Sequence, residues 1–543
     1  MTNPIVNLNV SLQLAPAPSQ LQKTGALVSQ GGTITTPGTK SLLTQLSDLT
    51  ALLSLAAANA TIGWAGGVAT VVPVVPHGLP VGQTMNVTIA GATPAGYNGT
   101  FPATVISADA FTFPLATNPG TETVPGTWVL SAAAELTQMA TTFFAQGSAQ
   151  PVYVLELGGG DPSHGAAFLE TWIGANAGFF YSYLVPREWD GDATFLANLA
   201  NYTGTGAKTY FGVTTTLATY KAYAGKKCVL AMIEAPKYSV WPANALTALS
   251  WTAGVGTAIT TTDHGVSPGE WFQLAGVTPS GWNGWWQAQA GTEANTLVFD
   301  VPTDPGAESV LGTLVQSQYA SAGVGANEFS LASAFRTTLN YQPSSTNKVT
   351  SLNFAYEFGV TAFPTDGNAA LITTLLNADV SLIGTGAAGG ISSTLVLGGN
   401  TSDGNPFKYW YSVDWAQINL SRAVTAALIN GANNPENPVD YNQFGINALQ
   451  QASVSTMASG IAAGLVLNPI AQTSLSASQL QVADDLGTYA AYTLVNAQPF
   501  GAYNADNPND YAAGVYNGIT VDYTPLRGFE SITINLTVSN FAG

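Results

Sequence analysis

The chain reads as an α/β (α+β) core interrupted by two small all-β modules and ended by extended N- and C-terminal strand arms. Three observations predict this class. An internal repeat carries β-type turns, the sequence around it alternates strand-type and helix-type periodicity, and strictly alternating stretches stand at both chain ends.

The first element is "PIVNLNVSLQ", in which Val6, Leu8, Val10 and Leu12 alternate with Asn7, Asn9, Ser11 and Gln13. The last is "SITINLTVSN", where Ile532, Ile534, Leu536 and Val538 face one way and Thr533, Asn535, Thr537 and Ser539 the other. A period of two with one apolar face is a strand that needs a neighbour. The two stretches can pair with each other, dock on their own core, or be donated to another copy. We assign residues 1–33 and 526–543 to these arms.

Between the arms, the Leu-rich "SLLTQLSDLTALLSLAAANA" predicts a helix from Ser41 to Ala60, and "AAELTQMATTFFAQG" predicts one from Ala133 to Gly147. Element types then alternate. "PVYVLEL", "GFFYSYLVP", "KTYFGVT" and "KCVLAMIEAP" read as buried strands, with "HGAAFLETWIGAN" and "DATFLANLANYTG" as helices between them. "FSLASAFRTTLN" and "NAALITTLLNADVSLIG" resume the pattern later. Two long helices follow: the first has Ala416, Leu420, Ala423, Val424, Ala427 and Leu428 on one face and Gly431 as its stop, and the second carries Ile446, Leu449, Val454, Met457 and Ile461. The core is thus discontinuous, at 34–61, 131–243 and 317–525.

The interruptions are the repeat, 62–130 and 244–316. Both copies contain H-G-x-x-x-G, then A-G-x-T-P-x-G-[YW]-N-G, then a [ND]-P-G turn, at an offset between 185 and 187 residues. Short alternating runs between Gly/Pro turns predict a small sandwich or partly open barrel. Gly96/Gly281 and Gly99/Gly284 are expected at positive φ, with Tyr97 and Trp282 filling the module cores.

Composition narrows function. The 543 residues suit three or four domain-sized units at about 150 residues each. Only 8% are charged and 46% are apolar, so large uncharged surfaces read as contact surface. A net charge of −18 with no basic cluster beyond Lys226-Lys227 argues against nucleic-acid binding. No apolar run or basic leader suggests a membrane span or signal peptide, so a soluble protein made in a cytoplasm is expected. The single cysteine, Cys228, lies in an apolar run and reads as a core thiol.

Candidate chemistry is sparse. His77 and His264 belong to the repeat turns, leaving His164 in "GGGDPSH"; Asp161, Ser163 and His164 stand too close in sequence for a catalytic triad and read as a helix start. "YTGTGAKTY" departs from a phosphate loop, because Ala207 precedes Lys208 and Tyr202 replaces the first glycine. No Cys/His metal spacing occurs, and "NADNPND" reads as a solvated turn more readily than a Ca²⁺ site. The expectation is no cofactor, no metal and no enzyme. "SGWNGWW" raises one rival: a carbohydrate-stacking surface on the second module, with Trp285 or Trp286 outward, as in a host-binding adhesin or decoration protein.

The long helices carry a resemblance. "FKYWYSVDWAQINLSRAVTAALI", with Asp414, Trp415, Gln417 and Asn419, and "YNQFGINALQQASVSTMASGIAAGLV", with Gly445 and Ile446, resemble the C-terminal half of contractile phage tail sheath proteins. "NLNVSLQLAPAPSQ" and "ELTQMATTFFAQGSAQPVYVLELG" are similar to that family's arm and first core elements. The resemblance covers about two thirds of the chain in pieces, and the two β modules depart from it. It implies a subunit that polymerises helically around a tail tube, ties neighbours together through its arms by strand addition, and contracts to drive the tube through a host envelope. The implied partners are other copies of the chain, the tail tube, and baseplate and terminator proteins, with no nucleic acid and no membrane insertion. The implied location is a virion tail assembled in bacterial cytoplasm.

Overall fold

Long apolar runs need cover on both faces, and the fold supplies it. The computed structural model describes residues 22, 24–53, 56–77, 79, 81–147, 150–235, 244–264, 266, 268, 271–317, 328–336, 343–363, 369–385 and 393–528. Both alternating stretches at the chain ends, with Val6, Leu8, Val10, Leu12, Ile532, Ile534, Leu536 and Val538, lie outside these residues.

Eight strands form the main sheet: β1 (Gly25–Ser29), β2 (Lys40–Leu43), β3 (Val152–Glu156), β4 (Ser182–Leu184), β5 (Tyr210–Thr215), β6 (Val229–Ile233), β7 (Val380–Thr385) and β8 (Thr394–Leu397). Their order is β2-β3-β1-β4-β5-β6-β7-β8. The six inner strands are parallel, and β2 and β8 close the edges antiparallel. Inner strands buried on two faces require continuous apolar sequence, which "VYVLE" and "VLAMI" provide. One face carries Leu27, Val154, Leu184, Tyr210 and Ile383, covered by α1 (Ala132–Ala145) and the start of a long helix. The other carries Val28, Tyr183, Phe211, Val213 and Leu382, covered by α2 (Pro162–Ala175), α3 (Ala193–Asn198) and α4 (Ala369–Asn377).

Two sequence expectations change here. Residues 41–60 are not one helix: Ser41 belongs to β2, only Ser47–Thr50 is helical, and Ala57 opens a strand of the first module. The exposed Asp48 carboxylate accepts from the Thr44 and Gln45 backbone N–H groups at 2.8 and 3.2 Å, diverting donors that a continuous helix would use; strand pairing on both sides then outweighs Leu/Ala propensity. The stretch 1–33 is also not all arm, because Gly25–Ser29 is β1, buried between β3 and β4.

The first module is a closed six-stranded barrel, in circular order Ala57–Ala65, Val68–Pro73, Ala110–Pro114, Gly99–Ser107, Thr84–Ala90 and Thr127–Leu130. The second repeats that order but opens at one seam, where the short strand Gly284–Gln287 meets Thr296–Asp300 through a single Ala288–Phe299 bridge. Tyr97 and Trp282 fill matching core positions. The Tyr97 hydroxyl donates to the Gly120 carbonyl at 3.0 Å and the Trp282 indole to that of Gly306 at 3.1 Å. Gly99 and Gly284 take positive φ, 148° and 135°. Gly96 and Gly281 do not; each sits in a short 3₁₀ turn, where a side chain would run into Pro119 or Pro305.

The C-terminal region is built on α5 (Phe407–Ala432) and α6 (Gln443–Ala462), an antiparallel hairpin. Three short strands, β9 (Ile470–Thr473), β10 (Thr493–Ala497) and β11 (Ile519–Asp522), form a separate sheet in the order β9-β10-β11. Met457 of α6, Val466 and Val495 make the core beneath it. The apolar stripe expected along α5 is only half used: Ala416 is buried, whereas Leu428 and its neighbour Ile429 are 45% and 58% exposed.

Trp282→Ala is expected to remove about 3–5 kcal/mol from the second module and give it a separate, lower unfolding transition in calorimetry. Substituting the half-buried Trp286 should cost less.

Candidate assembly interface

The motif residues of the long helices lie on one hairpin but do different work. Asp414 is fully buried on the sheet-facing side of α5, where its Oδ2 accepts the Tyr181 hydroxyl at 2.9 Å and the Tyr210 hydroxyl at 2.8 Å. These tyrosines immediately precede or open β4 and β5, so the carboxylate fastens the helix to the centre of the sheet. Oδ1 has no hydrogen-bond partner among the described residues. Burial pushes the carboxyl up to about 6, against the tyrosine hydrogen bonds and the nearby Lys227 ammonium, which pull it down. Trp415 packs over Gly460 of α6, where a side chain would collide with the indole, and Asn419 donates to the Trp415 carbonyl at 2.8 Å. Gln417 is exposed. Gly445 donates its N–H to the Asn442 cap at 3.0 Å and lies against the Asp440 carbonyl too closely for any Cβ; Ile446 is buried beside it. With a rise of about 1.5 Å per residue, Asp414 and the Gly445 end are roughly 25 Å apart, so the motif is a hairpin scaffold and not a reaction centre.

Two surfaces of this region are unfinished. At the hairpin's outer end Leu428, Ile429 and Phe444 stand exposed, Phe444 by 60%. In the small sheet, β9 and β11 each pair on one side only among the described residues, and an edge strand presents unpaired N–H and C=O groups to any further strand. Gln450 ties α6 to this sheet, donating to the carbonyls of Thr473 and Val495.

Both ends of the described body meet at the first turns of α5. Near the N-terminus, Gln22 donates to the Tyr411 carbonyl at 2.9 Å. Near the C-terminus, Arg527 donates to Asn405 Oδ1 at 3.0 Å and lies 5.2 Å from the Tyr409 ring centre, while Leu526 bonds the Leu465 carbonyl at 2.9 Å. Sequence inspection missed this convergence, because nothing in Gln22 or Arg527 marks their targets.

The other candidates resolve into structure. Asp161 caps α2 by accepting the His164 N–H at 2.8 Å, and the Ser163 hydroxyl donates instead to Asp192 at 2.6 Å. His77 and His264 accept the N–H of Leu79 and Val266 within their turns. In the glycine loop before Lys208, the carbonyls of Gly204, Thr205 and Ala207 converge on the Lys227 ammonium at 2.9–3.2 Å. That loop offers acceptors, the opposite of a phosphate cradle. Cys228 is buried and its thiol is pushed up to about 12. Asp510 takes the Tyr503 hydroxyl, and among the described residues no cluster of three or more His, Cys, Asp or Glu has metal-binding geometry. The Trp286 indole donates to the Trp282 carbonyl at 2.9 Å, and the side chain of Trp285 lies outside the described residues. No helix among the described residues is long and apolar enough to cross a membrane.

The carboxyl end of a parallel sheet is the usual ligand site, and here it is spent internally. Glu156, at the end of β3, accepts five donors: the Gly31, Thr33 and Gly158 N–H groups and the Ser29 and Thr33 hydroxyls. Arg187, after β4, forks onto Glu234 at 2.7 and 2.8 Å and approaches Glu135, which burial pushes up to about 7. The first module lies over this end, with Leu79, Met85 and Leu130 against Gly159 and the Asp161 N–H bonded to Gln83.

Asp414 generates a pH test. A folded-state value raised to about 6 from 3.8 favours the protonated form, so its contribution is full below pH 4 and is lost as pH rises through about 6. Asp414→Asn is expected to flatten the stability profile by about 1–2 kcal/mol between pH 5 and 7.5, read by denaturant unfolding of both proteins. An identical slope in the two would contradict the assignment.

No family model matches the chain, and no curated protein matches it.

Proposed function

We propose that the chain is a tail sheath subunit: a structural protein that polymerises helically around a phage tail tube and contracts to drive the tube through the host envelope. The observation that carries this reading is the convergence of both ends of the described body, at Gln22 and Arg527, on the start of α5, beside a small sheet whose two edges are unpaired among the described residues. The strand-type sequences that continue beyond these two residues would bridge one body to the next by strand addition, with backbone hydrogen bonds as the link and the apolar face setting register.

The rest of the surface suits repeated association. The exposed aromatics Phe354, Tyr356 and Phe358 alternate along a segment beside β8, and the hairpin end adds Leu428, Ile429 and Phe444. With so few charges, such surfaces associate without strong like-charge repulsion. The carboxyl end of the sheet and the glycine loop are filled by structural hydrogen bonds, which favours an assembly role over an enzymatic one. The partners proposed are other copies of the chain, the tail tube inside, and baseplate and terminator proteins at the ends. Contraction then exchanges one set of weak contacts for another while the arms keep neighbours tied.

Deleting residues 529–543 is expected to leave a folded monomer that no longer forms long particles in sedimentation; normal polymerisation of the truncated chain would contradict the arm's role. Joining residue 243 to residue 317 through a short Gly/Ser linker, which removes the second module, is expected to preserve assembly.

A further inference from the structure

Charge is distributed unevenly along the chain, and the C-terminal region is one-sided. Between Arg422 and Arg527 it carries seven Asp and Glu residues and no Lys, Arg or His. In this stretch α7 (Ala477–Asp485) joins β9 to β10 and has no buried residue. Leu480 and Ala483 are half-buried, and every other residue of the helix is exposed. A helix of nine residues does not hold by packing of this kind, since isolated helices below about 12–15 residues are marginal in water. Its supports are local: the Ser476 N–H donates to Gln479 Oε1 at 3.0 Å in a capping box, and Gln481 donates to Asp485 at 2.8 Å. Val482 and Leu486, one turn apart on one side, are 58% and 75% exposed, with Asp485 on that side and the exposed Asp484 next to it. A short helix that keeps its apolar side in water calls for a partner surface.

The complement stands elsewhere on the same chain. Residues 193–233 carry four lysines and no acid. At the start of α5 the half-buried rings of Tyr409 and Trp410 meet edge to face, with centres 5.1 Å apart. The exposed Arg527 guanidinium lies 5.2 Å from the Tyr409 ring centre, and the Lys227 ammonium lies 4.4 Å from that of Trp410. Two half-buried lysines adjoin Lys227: Lys226 precedes it, and Lys208 ends the glycine loop whose carbonyls hold it. Asp403, the acid beside Trp410, is engaged by the Trp410 indole, the Thr401 hydroxyl and the Asn405 N–H. The result is an aromatic patch with a basic rim. Among the described residues neither Asp484 nor Asp485 makes an ion pair, so this rim and the acidic helix are not joined within one subunit.

We propose that α7 of one copy docks on the Tyr409–Trp410 patch of a second copy, with Val482 and Leu486 over the rings and Asp484 and Asp485 against Lys208, Lys226 and Arg527. Charge complementarity selects the occupant: the helix is acidic and apolar, and the patch is basic and aromatic. Helix and patch are different surfaces of one chain, so the contact is head-to-tail and each added copy presents a fresh helix and a fresh patch. The inference rests on the self-assembly reading above and names a surface through which copies meet, separate from strand addition.

The test uses the full-length protein, half of it isotopically labelled, treated with a carbodiimide that couples a carboxylate to an ammonium in contact. Peptide mapping is expected to find amides from Asp484 or Asp485 to Lys208 or Lys226 that join a labelled chain to an unlabelled one. The charge-reversed variants D484K/D485K and K208E/K226E should each need about tenfold more protein to associate in sedimentation. Mixed together they should associate like the wild type, because each reversed helix then meets a reversed patch; this recovery also shows that both variants are folded. Amides only within one chain, unchanged association of either variant, or a mixture that stays dispersed would each overturn the proposal. Copies that couple in this way but never build cylinders count against the sheath reading alone. Cylinders that form equally well from both variants count against this contact alone, and a chain that stays monomeric at every concentration overturns both.

Discussion

The carboxylate of Asp414, buried between α5 and the main sheet, is the contact on which the arrangement of the molecule depends. It accepts two tyrosine hydroxyls from neighbouring strands and leaves one oxygen without a partner among the described residues. Hydrogen bonds to a charged group contribute about 1.5–3 kcal/mol each, and burial of the charge offsets much of that. What the site secures is position. The first half of α5 is fixed to the sheet, α6 packs on α5 through Trp415 and Gly460, the small sheet rides on α6 through Gln450, and Gln22 and Arg527, at the two ends of the described body, fasten near the start of α5. A shift of this helix would move all of them together.

The two ends of the parallel sheet have divided roles. At the carboxyl end, Glu156 and the Arg187–Glu234–Glu135 group use their hydrogen-bonding capacity on their own backbone and on each other, and the first module closes over them. At the amino end, Gln22 bonds the Tyr411 carbonyl and Arg527 lies on Asn405 and Tyr409, both near the start of α5. The polar groups at both ends of the sheet are therefore engaged in holding shape, while the small sheet offers strand edges and the hairpin end offers the exposed Leu428, Ile429 and Phe444. Such a division suits a protein whose work is contact with copies of itself.

Much of this was legible in the sequence and part was not, for physical reasons. The buried strands announced themselves as continuous apolar runs, and the repeat exposed two β modules because Tyr97 and Trp282 must fill the same place. The helix expected over 41–60 failed because Asp48 and the strand partners of Lys40–Leu43 and Ala57–Ala65 act across the chain, beyond any local window. Asp414 stood out in its motif, but its partners are 233 and 204 residues away, and no spacing rule links them. The open half of α5 was misjudged because periodicity shows that a stripe exists, while what covers it depends on tertiary context.

The proposed sheath subunit is tested most directly by electron microscopy of the purified full-length protein. The account predicts hollow cylinders with regular axial striations, built from this chain alone. Dispersed monomers across a wide range of concentration and salt would contradict it.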